Sequence, residues 1–425
     1  MRKIIEKILF ILARMIIKKY QPKIIGITGS IGKTSTKEAA FSVLQSHFRV
    51  RQTDKNYNNE IGLPLTIIGA ASGGRSLIGW MKVVMKAFSL LLMEDKTYPE
   101  VLILEMGADK PGDIEYLTTI APCDIGVVTK VAPVHIEFFG SVEKIAAEKR
   151  KIVSHLNKDG IAILNFDDET VLGMAKGLKS SVLSFGYTEN ADVHAVDLER
   201  QGSVDDLPGV KFKLLYDGSA VPVFLPRVLG QHQTYAALAA AAIGLAMKLN
   251  LIDIANGLQS YIAPKGRMNL VPGINNSLIV DDTYNSSPEA AMAAVKAIAE
   301  LNLDNATRKV AIMGDMLELG DITDQAHYDL GRTVAESKFD ILVAVGINRL
   351  ATIRGAQDAG MENFLDFENS IIAAEKMKEL IVGHEVILVK GSQGSRMERV
   401  VKSLMREPER AKELLVRQSD EWLKK

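Results

Sequence analysis

The fold follows from one stretch, Gly26-Ile27-Thr28-Gly29-Ser30-Ile31-Gly32-Lys33-Thr34-Ser35, which joins an apolar run to a helical pattern. The run Lys23–Thr28 predicts a strand, and Lys33–His47 predicts a helix. Glycines let the backbone wrap round phosphate oxygens, and the helix N-terminus offers them free N–H groups. In such a loop Lys33 would neutralise the β- and γ-phosphates, and the Thr34 hydroxyl would hold Mg²⁺. Ile27 stands where the usual spacing has glycine, so only the Gly-Lys-Thr half of that motif is matched.

Short apolar strands alternate with helical segments on the C-terminal side of this loop. Such alternation is typical of βαβ units around a parallel sheet. Residues 181–226 interrupt it with patterns of antiparallel strands, and Leu229–Leu249 predicts an Ala-rich helix. The parallel strands are predicted at Lys23–Thr28, Val101–Glu105, Ile125–Thr129 and Ile161–Asn165, and the antiparallel ones at Val193–Leu198, Lys211–Tyr216 and Ala220–Leu225.

The alternation resumes after Ala263–Gly273, whose two Pro and two Gly residues predict a linker. Strands are expected at Ser277–Asp281, Lys309–Met313, Ile341–Val345 and Val386–Val389, and a polar helix from Glu407 onward. We therefore expect an α/β protein with three parts. These are an amphipathic helix at residues 1–22, a phosphate-loop domain with a parallel sheet at 23–264, and a Rossmann-like α/β domain at 265–425.

The composition is that of a globular protein. The chain has 425 residues, of which 47% are hydrophobic and 24% charged, which excludes disordered, collagen-like and coiled-coil proteins. Since 51 Lys and Arg balance 52 Asp and Glu, the net charge is -1, and we expect no nucleic-acid partner. The single cysteine, Cys123, cannot form an internal disulfide, so a cytoplasmic location is expected.

Residues 1–20, MRKIIEKILFILARMIIKKY, predict a basic amphipathic helix. Charged residues interrupt its apolar run, which therefore cannot span a bilayer. The segment from Arg2 to Lys23 carries seven basic residues and one acidic residue, a net charge of +6. Three interpretations stay open: packing on the protein body, contact with an anionic membrane surface, or binding of a partner protein. A second apolar stretch, residues 77–93, predicts a buried or surface helix. The apolar residues at helical spacing in the first stretch are Ile4, Ile5, Ile8, Leu12, Met15 and Ile16.

The phosphate loop has the Thr-Gly-x-x-Gly-Lys-Thr-Ser form of the Mur ligases, and further motifs follow in the order found in that family. They are Asn58–Pro64, Glu105–Ala108, His135 with Phe139-Gly140-Ser141, Ala147–Ile152, Asp281–Pro288, Met313–Gly320 and Lys390-Gly391-Ser392. The last three resemble the MurF type, which adds D-alanyl-D-alanine to a UDP-N-acetylmuramoyl-tripeptide. The resemblance covers about residues 23–405.

The resemblance implies an ATP- and Mg²⁺-dependent ligase of peptidoglycan precursor synthesis. Such an enzyme activates a carboxylate as an acyl phosphate and joins it to an amine. No protein nucleophile takes part, so catalysis would rest on charge neutralisation and alignment. The implied catalytic residues are Lys33, Lys149 and His135. Thr34 and Glu105 would hold one Mg²⁺, and His135 a second, together with the carbamate of a CO₂-modified Lys149.

The resemblance also implies residues for nucleotide and substrate binding. The nucleotide would be bound by Thr28, Gly29, Ser30, Gly32, Lys33, Thr34, Ser35, Gln233, Arg267 and Asp282. The substrates, a muramoyl-peptide acid and D-Ala-D-Ala, would be bound by Asn59, Tyr284, Asn285, Lys390 and Ser392. A monomer is expected.

Three departures from the family pattern stand out. The segment His232–Ala236 keeps an amide at Gln233 for adenine, but Ala236 replaces the second Asn of the pattern. Lys130 replaces an Asn, so it adds positive charge near the proposed metals or points away. The family carries a UDP-substrate domain ahead of its phosphate loop, whereas 25 residues precede Gly26 here. We expect the basic helix and residues 77–93 to stand in for that domain and to hold a membrane-linked or partner-delivered substrate.

Two alternative functions remain at this stage. One is a relative that acts on another acid, such as a polyglutamate or folate substrate; the MurF-like motifs argue against it. The other is a non-catalytic nucleotide-binding partner in a cell-wall complex. The intact Lys33, Thr34, Glu105, His135 and Lys149 argue against that interpretation.

Overall fold

The computed structural model describes residues 2–54, 57–133, 136–156, 159–204, 207–229, 231–301, 303 and 305–423. The chain forms two compact units. Unit 1 consists of Met1–Leu198, Lys211–Leu225 and Gln231–Tyr261. Unit 2 consists of Glu199–Val210, Pro226–Gly230 and Ile262–Lys425. No helix in the described ranges combines the length and the apolar character needed to cross a membrane.

Unit 1 is built on alternating strands and helices, as the sequence predicts. Its central strands are continuous apolar runs and are buried along almost their whole length, as expected for a parallel sheet covered on both faces. In chain order its elements are α1 (Arg2–Tyr20), β1 (Lys23–Thr28), α2 (Lys33–Leu44), β2 (Val50–Gln52), α3 (Gly62–Ile68), α4 (Leu77–Leu92), β3 (Val101–Glu105), α5 (Asp113–Ile120), β4 (Ile125–Val128), α6 (Ile136–Phe139), α7 (Val142–Ser154), β5 (Ile161–Asn165), α8 (Glu169–Leu172), β6 (Ser181–Gly186), β7 (Val193–Gln201), β8 (Gly209–Tyr216), β9 (Ser219–Pro226), α9 (Gln231–Ala246) and α10 (Leu251–Gln259).

In the described residues these strands form one sheet in the order β2-β3-β1-β4-β5-β6-β7-β8-β9. Strand β1 pairs in parallel with β3 and β4, which sets Ile27 opposite Glu105 and Thr28 opposite Val128. Their carboxyl ends therefore meet at one edge, where a ligand binds in sheets of this kind. Strands β8 and β9 are joined by Asp217-Gly218, both at positive φ, which is the geometry of a tight antiparallel hairpin.

Helix α1 packs on unit 1, but its apolar residues divide between two faces. Leu9, Leu12, Ala13 and Ile16 are buried in the same core cluster as Val83, Ala87 and Leu90 of α4. Ile4, Ile8 and Met15 are exposed, although the sequence placed them with Leu12 and Ile16 on one apolar side. The packed-helix interpretation of residues 1–20 therefore holds for one face of α1, and the other face remains exposed.

Unit 2 is a second α/β sheet in the order β10-β11-β15-β12-β13-β14. The strands from β11 to β14 pair in parallel, and β10 runs antiparallel to β11. In chain order its elements are β10 (Asn269–Pro272), β11 (Leu278–Asp282), α11 (Pro288–Ala299), β12 (Lys309–Gly314), α12 (Thr323–Glu336), β13 (Ile341–Val345), α13 (Arg349–Asp358), β14 (Phe364–Phe367), α14 (Ser370–Leu380), β15 (Val386–Lys390), α15 (Glu398–Leu404), α16 (Ala411–Leu414) and α17 (Asp420–Leu423).

Two predicted elements of this part were wrong. The Ala263–Gly273 linker contains β10, because Asn269–Pro272 forms a strand ladder with β11. The predicted polar helix from Glu407 is instead a series of short turns and helices. Ala411 and Leu415 in that series are buried in the unit 2 core, so packing rather than helix propensity decides the course of the chain there.

Candidate active site

The phosphate loop lies between buried Thr28 at the end of β1 and Lys33 at the start of α2. Gly32 precedes the helix with φ of 89°, a left-handed conformation that favours glycine. Gly29 has φ of 152°, and a Cβ atom there would lie 2.0 Å from Thr129 Oγ1. Position 29 therefore requires glycine, because any side chain there would collide with Thr129 of the neighbouring loop.

Two lysines converge on the carbonyl oxygen of Gly29. Lys33 Nζ donates to Gly29 O at 2.8 Å, and Lys149 Nζ donates to the same oxygen at 3.1 Å. Lys149 lies on α7 and is 3% exposed. Burial, and then the nearby Lys33 ammonium, lower the pKa of Lys149 to about 7. Lys149 therefore has a substantial neutral-amine population at neutral pH, the form that can react with CO₂.

A buried carboxylate lies at the end of the neighbouring strand β3. Glu105 is 4% exposed, and Asn58 Nδ2 donates weakly to its Oε1 at 3.4 Å. Its Oε2 has no hydrogen-bond partner among the described residues. An unsatisfied buried carboxylate oxygen suits a hard cation, and Thr34, in the first turn of α2, would add a hydroxyl ligand. Within the described ranges no three His, Cys, Asp or Glu side chains cluster as a metal site, and His135 lies outside those ranges.

The loop after β4 supports the phosphate loop from the other side. Ser30 N donates to Lys130 O at 2.6 Å, and Ser30 Oγ donates to Ala132 O at 3.0 Å. Thr129 Oγ1 donates to Ile31 O at 2.6 Å. These bonds hold the backbone of Ser30 and Ile31 in place, while the Lys130 side chain is exposed.

Three other residues expected at the nucleotide or substrate occupy structural positions in unit 1. Asn59 Oδ1 accepts from Ile61 N at 3.2 Å and from Gly62 N at 2.9 Å, so it caps the start of α3. Gln233, on α9, is completely buried and accepts a hydrogen bond from the Tyr261 hydroxyl. Ser35, on α2, is also buried. Tyr261 therefore already occupies the side-chain oxygen of Gln233. The adenine role of Gln233 stays a prediction.

In unit 2 an ion pair between a buried lysine and a half-buried aspartate connects two of the predicted residues. Lys390 Nζ, at the end of β15, lies 2.6 Å from Asp282 Oδ2 at the end of β11. The same ammonium donates to Asn285 O at 3.0 Å, and Met268 N donates to Asp282 Oδ1 at 3.2 Å. Because β11 and β15 are adjacent and parallel, their carboxyl ends bring these residues together.

The remaining residues of this set order the loops that follow those strands. The Arg267 guanidinium lies 4.1 Å from the centre of the Tyr284 ring, a cation–π contact. Ser392 Oγ donates to Ser286 O at 3.1 Å and accepts from Leu317 N at 3.0 Å. The three late motifs of the sequence thus meet at the carboxyl end of one sheet.

Two domain families match these two regions of the chain. The Mur ligase middle domain matches residues 84–244, and the Mur ligase, glutamate ligase domain matches residues 266–393. The UDP-N-acetylmuramoyl-tripeptide–D-alanyl-D-alanine ligase of Escherichia coli strain K12 is 30% identical over 401 residues, which cover 92% of this chain and 79% of that protein. This chain belongs to the Mur ligase family, MurF type.

Solved structures agree with this assignment. The match to MurF from Acinetobacter baumannii has a TM-score of 0.76 at 30% identity and covers 93% of this chain and 79% of that one. The match to the MurF ligase from Thermotoga maritima, solved with ADP, has a TM-score of 0.72 at 28% identity and covers 95% and 84%. The predicted resemblance and the predicted α/β fold class of this Mur ligase are confirmed.

Sequence reasoning missed some residues that hold the site together. Asn58 contacts Glu105, and it stands in the same motif from which Asn59 was chosen. Asp315, in the Met313–Gly320 motif, accepts from Ile347 N and Asn348 N, both at 2.9 Å. In both cases the sequence motif identified the segment that contains the residue. Which residue of that segment contacts the site depends on the direction of each side chain, which the motif does not show.

Proposed function

We propose that this Mur ligase joins the terminal carboxylate of a UDP-N-acetylmuramoyl-tripeptide to the amine of D-alanyl-D-alanine, with ATP and Mg²⁺, in peptidoglycan precursor synthesis. The names of its relatives at about 30% identity support this reaction. The observation that carries the proposal is the convergence of Lys33 and Lys149 on Gly29 O at the phosphate loop. A buried, half-satisfied Glu105 lies at the end of the adjacent strand.

The reaction has two steps, carboxylate activation and amide formation. A carboxylate oxygen of the acid attacks the γ-phosphorus of ATP, the bond to the β-phosphate oxygen breaks, and ADP leaves an acyl phosphate. The amine then attacks the acyl carbon, phosphate departs, and the amide nitrogen loses a proton. The Lys33 ammonium would stabilise the charge on the migrating phosphoryl group, and the α2 N-terminus would orient the phosphates. Both contributions are alignment and charge neutralisation, so no protein nucleophile is needed.

Thr34 and Glu105 would hold a Mg²⁺ ion, which supplies neutralising charge at the phosphates when bound. We propose that Lys149 carries a carbamate, which would add an anionic oxygen to a second cation site with His135. The position of Lys149 supports this assignment, because its amine is buried beside the phosphate loop. The Glu148 and Asp109 carboxylates raise the pKa of Lys149, but burial and the Lys33 ammonium outweigh them, so the neutral amine is populated near pH 7.

Substrate and nucleotide roles in unit 2 are also part of the proposal. Arg267 and Asp282 would contact the nucleotide. Tyr284, Asn285, Lys390 and Ser392 would lie towards the incoming dipeptide, and in unit 1 Asn59 and Gln233 keep their proposed roles at the substrate and at adenine. The ion pair and loop contacts of these residues support a pre-organised site.

We further propose a cytoplasmic monomer with peripheral contact to the inner membrane face through residues 1–20.

The decisive experiment measures phosphate release with ATP and Mg²⁺ across a matrix of acids and amines, with product masses determined. We expect turnover only with the muramoyl-tripeptide and D-Ala-D-Ala, and loss of turnover in Lys33→Ala. Lys96→Ala, at an exposed lysine of the same unit, is the matched control and should retain full activity. Turnover with a folate or glutamate acid instead, or full activity of Lys33→Ala, would overturn the proposal. Tight ATP binding without turnover for any pair would favour a non-catalytic role.

A further inference from the structure

Helix α4 presents an apolar stripe to solvent along its whole length. Val83, Ala87 and Leu90 face the core of unit 1. On the opposite side, residues at spacings of three and four share one exposed face, with Met85 59% and Leu92 82% exposed. A 16-residue helix is about 24 Å long, so this is a continuous strip rather than scattered surface residues. The stripe consists of Ile78, Met81, Met85, Phe88 and Leu92, with Leu77 beside its N-terminal end.

Helix α1 presents a second apolar stripe beside the first. Its members are exposed at spacings of four, three and four residues, with Ile4 66% exposed. Helices α1 and α4 contact each other and bury their other faces in one core cluster, so both stripes point away from that core. The stripe of α1 consists of Ile4, Ile8, Ile11 and Met15.

The ends of these two helices are held together by hydrogen bonds. Lys19 Nζ donates to Leu90 O at 2.7 Å and to Met93 O at 2.6 Å, and the Tyr20 hydroxyl donates to Leu90 O at 2.9 Å. The last residues of α1 thus satisfy the free carbonyls at the end of α4. The two stripes therefore form one fixed surface, which we call the α1/α4 face.

The charge on the α1/α4 face has one sign. Exposed basic residues run along the stripes, and Glu6, which pairs with Arg2 at 2.9 Å, is the only acidic residue in the two helices. Apolar stripes bordered by basic residues match a bilayer surface, where acyl chains lie beneath anionic headgroups. A symmetric contact with a second copy would instead bring the same basic rows together. The basic residues along the stripes are Lys3, Lys7, Arg14, Lys18 and Lys82. Lys86 is also exposed, but its ammonium donates to Gly69 O.

We propose that the α1/α4 face binds the surface of an anionic lipid bilayer, with both helices lying in the membrane plane. This deepens the proposed peripheral location and adds α4 to it, and it does not depend on the ligase reaction. The binding has two parts, since the apolar stripes enter the headgroup region while the lysines and arginines attract anionic lipid. Binding should therefore need both apolar and basic residues and should weaken as salt screens the charges.

Vesicle co-sedimentation of the full chain tests this proposal. We expect binding to phosphatidylcholine vesicles that contain about 30% phosphatidylglycerol, little binding to pure phosphatidylcholine, and release as salt rises from about 0.05 M to about 0.5 M. The double variant Ile8→Asp, Met85→Asp should bind at least about tenfold more weakly, because each substitution removes an apolar side chain that the bilayer would bury. The matched control is Ile252→Asp on α10, an isoleucine that is 64% exposed, and it should bind like the wild type.

The charge-reversal variant Lys7→Glu, Lys82→Glu provides an independent arm and should lose the preference for anionic vesicles. Binding of an ATP analogue at the phosphate loop, measured without vesicles, should be unchanged in every variant, so loss of vesicle binding is distinguishable from misfolding and from a failed nucleotide site. The proposal is overturned if the wild type stays unbound with anionic vesicles at low salt, or if Ile8→Asp, Met85→Asp binds normally. It is also overturned if light scattering shows a dimer that this variant dissociates, because a second copy would then cover the face.

Discussion

Replacing Asp281 with Asn should stabilise this Mur ligase above neutral pH. Asp281 is completely buried in β11, and its Oδ1 accepts from Thr283 Oγ1 at 2.6 Å. Its Oδ2 has no partner among the described residues. Burial raises the pKa of Asp281 from 3.8 to about 7, although the Thr283 hydrogen bonds oppose this, and the Asp282 and Glu398 carboxylates raise it further. The folded protein therefore holds a carboxyl group that resists ionisation.

The sign of the pH effect follows from proton binding. Between about pH 4 and pH 7 the folded state binds this proton more tightly than the unfolded state, so the free energy of unfolding falls as pH rises. Above about pH 7 the folded state bears the full free-energy cost of ionising the buried Asp281 carboxyl group. This cost is at most about 4 kcal/mol for a shift of about three pKa units. Asn avoids that cost but places an amide N–H where no acceptor is available, which costs about 1 to 2 kcal/mol. We expect a net stabilisation of about 2 to 3 kcal/mol at pH 8, and none below pH 4.

Calorimetric melting across pH 4 to pH 9 is the suitable assay. The net gain corresponds to a rise of about 5 to 10 °C in the transition of unit 2 at pH 8. The matched control is Asp282→Asn, one residue along the strand, which leaves the buried Lys390 ammonium without its carboxylate and should destabilise. The reasoning fails if Asp281→Asn destabilises at pH 8, or if its gain is the same at pH 5 as at pH 8.

Three further predictions concern the active site. Gly29→Ala should lose binding of an ATP analogue in titration calorimetry, since its Cβ would lie 2.0 Å from Thr129 Oγ1, whereas Gly173→Ala has open space and an ordinary backbone conformation and should bind normally. Glu105→Gln should reduce Mg²⁺-dependent turnover at least about a hundredfold while changing Mg²⁺-free ADP affinity little; an equal loss in both would refute its metal role. Turnover that depends on added bicarbonate should fall as pH drops from 8 to 6, because protonation of an amine with a pKa of about 7 prevents carbamate formation at Lys149. Lys149→Arg should show no bicarbonate response; persistent stimulation in that variant would contradict the carbamate assignment.

Local sequence signals predicted the elements whose shape depends on near neighbours. The strand Lys23–Thr28 and the glycine-rich turn after it are explained by apolar runs and by backbone freedom, and both were located correctly. The strand Asn269–Pro272 was missed, because its Pro and Gly surroundings resemble a linker and its only support is the ladder with β11. Long-range pairing of this kind leaves no local pattern.

The direction of individual side chains was the second feature that the sequence could not predict. Asn58 and Asn59 are adjacent and chemically identical, yet only Asn58 contacts Glu105, while Asn59 caps a helix. Gln233 was selected for its amide, and the structure buries that amide against Tyr261. A motif identifies the segment that carries the chemistry, but the partner of each side chain depends on residues far along the chain.

The amino-acid sequence by itself determined the family, the phosphate loop and the class of reaction, because these depend on residue types at short fixed spacings. Only the tertiary structure showed that Lys33 and Lys149, separated by more than a hundred residues, share one carbonyl oxygen. It also divided the apolar residues of α1 between a core and an exposed face. Helical spacing alone could not make that division, since it defines which residues share a side of a helix but not what lies against that side.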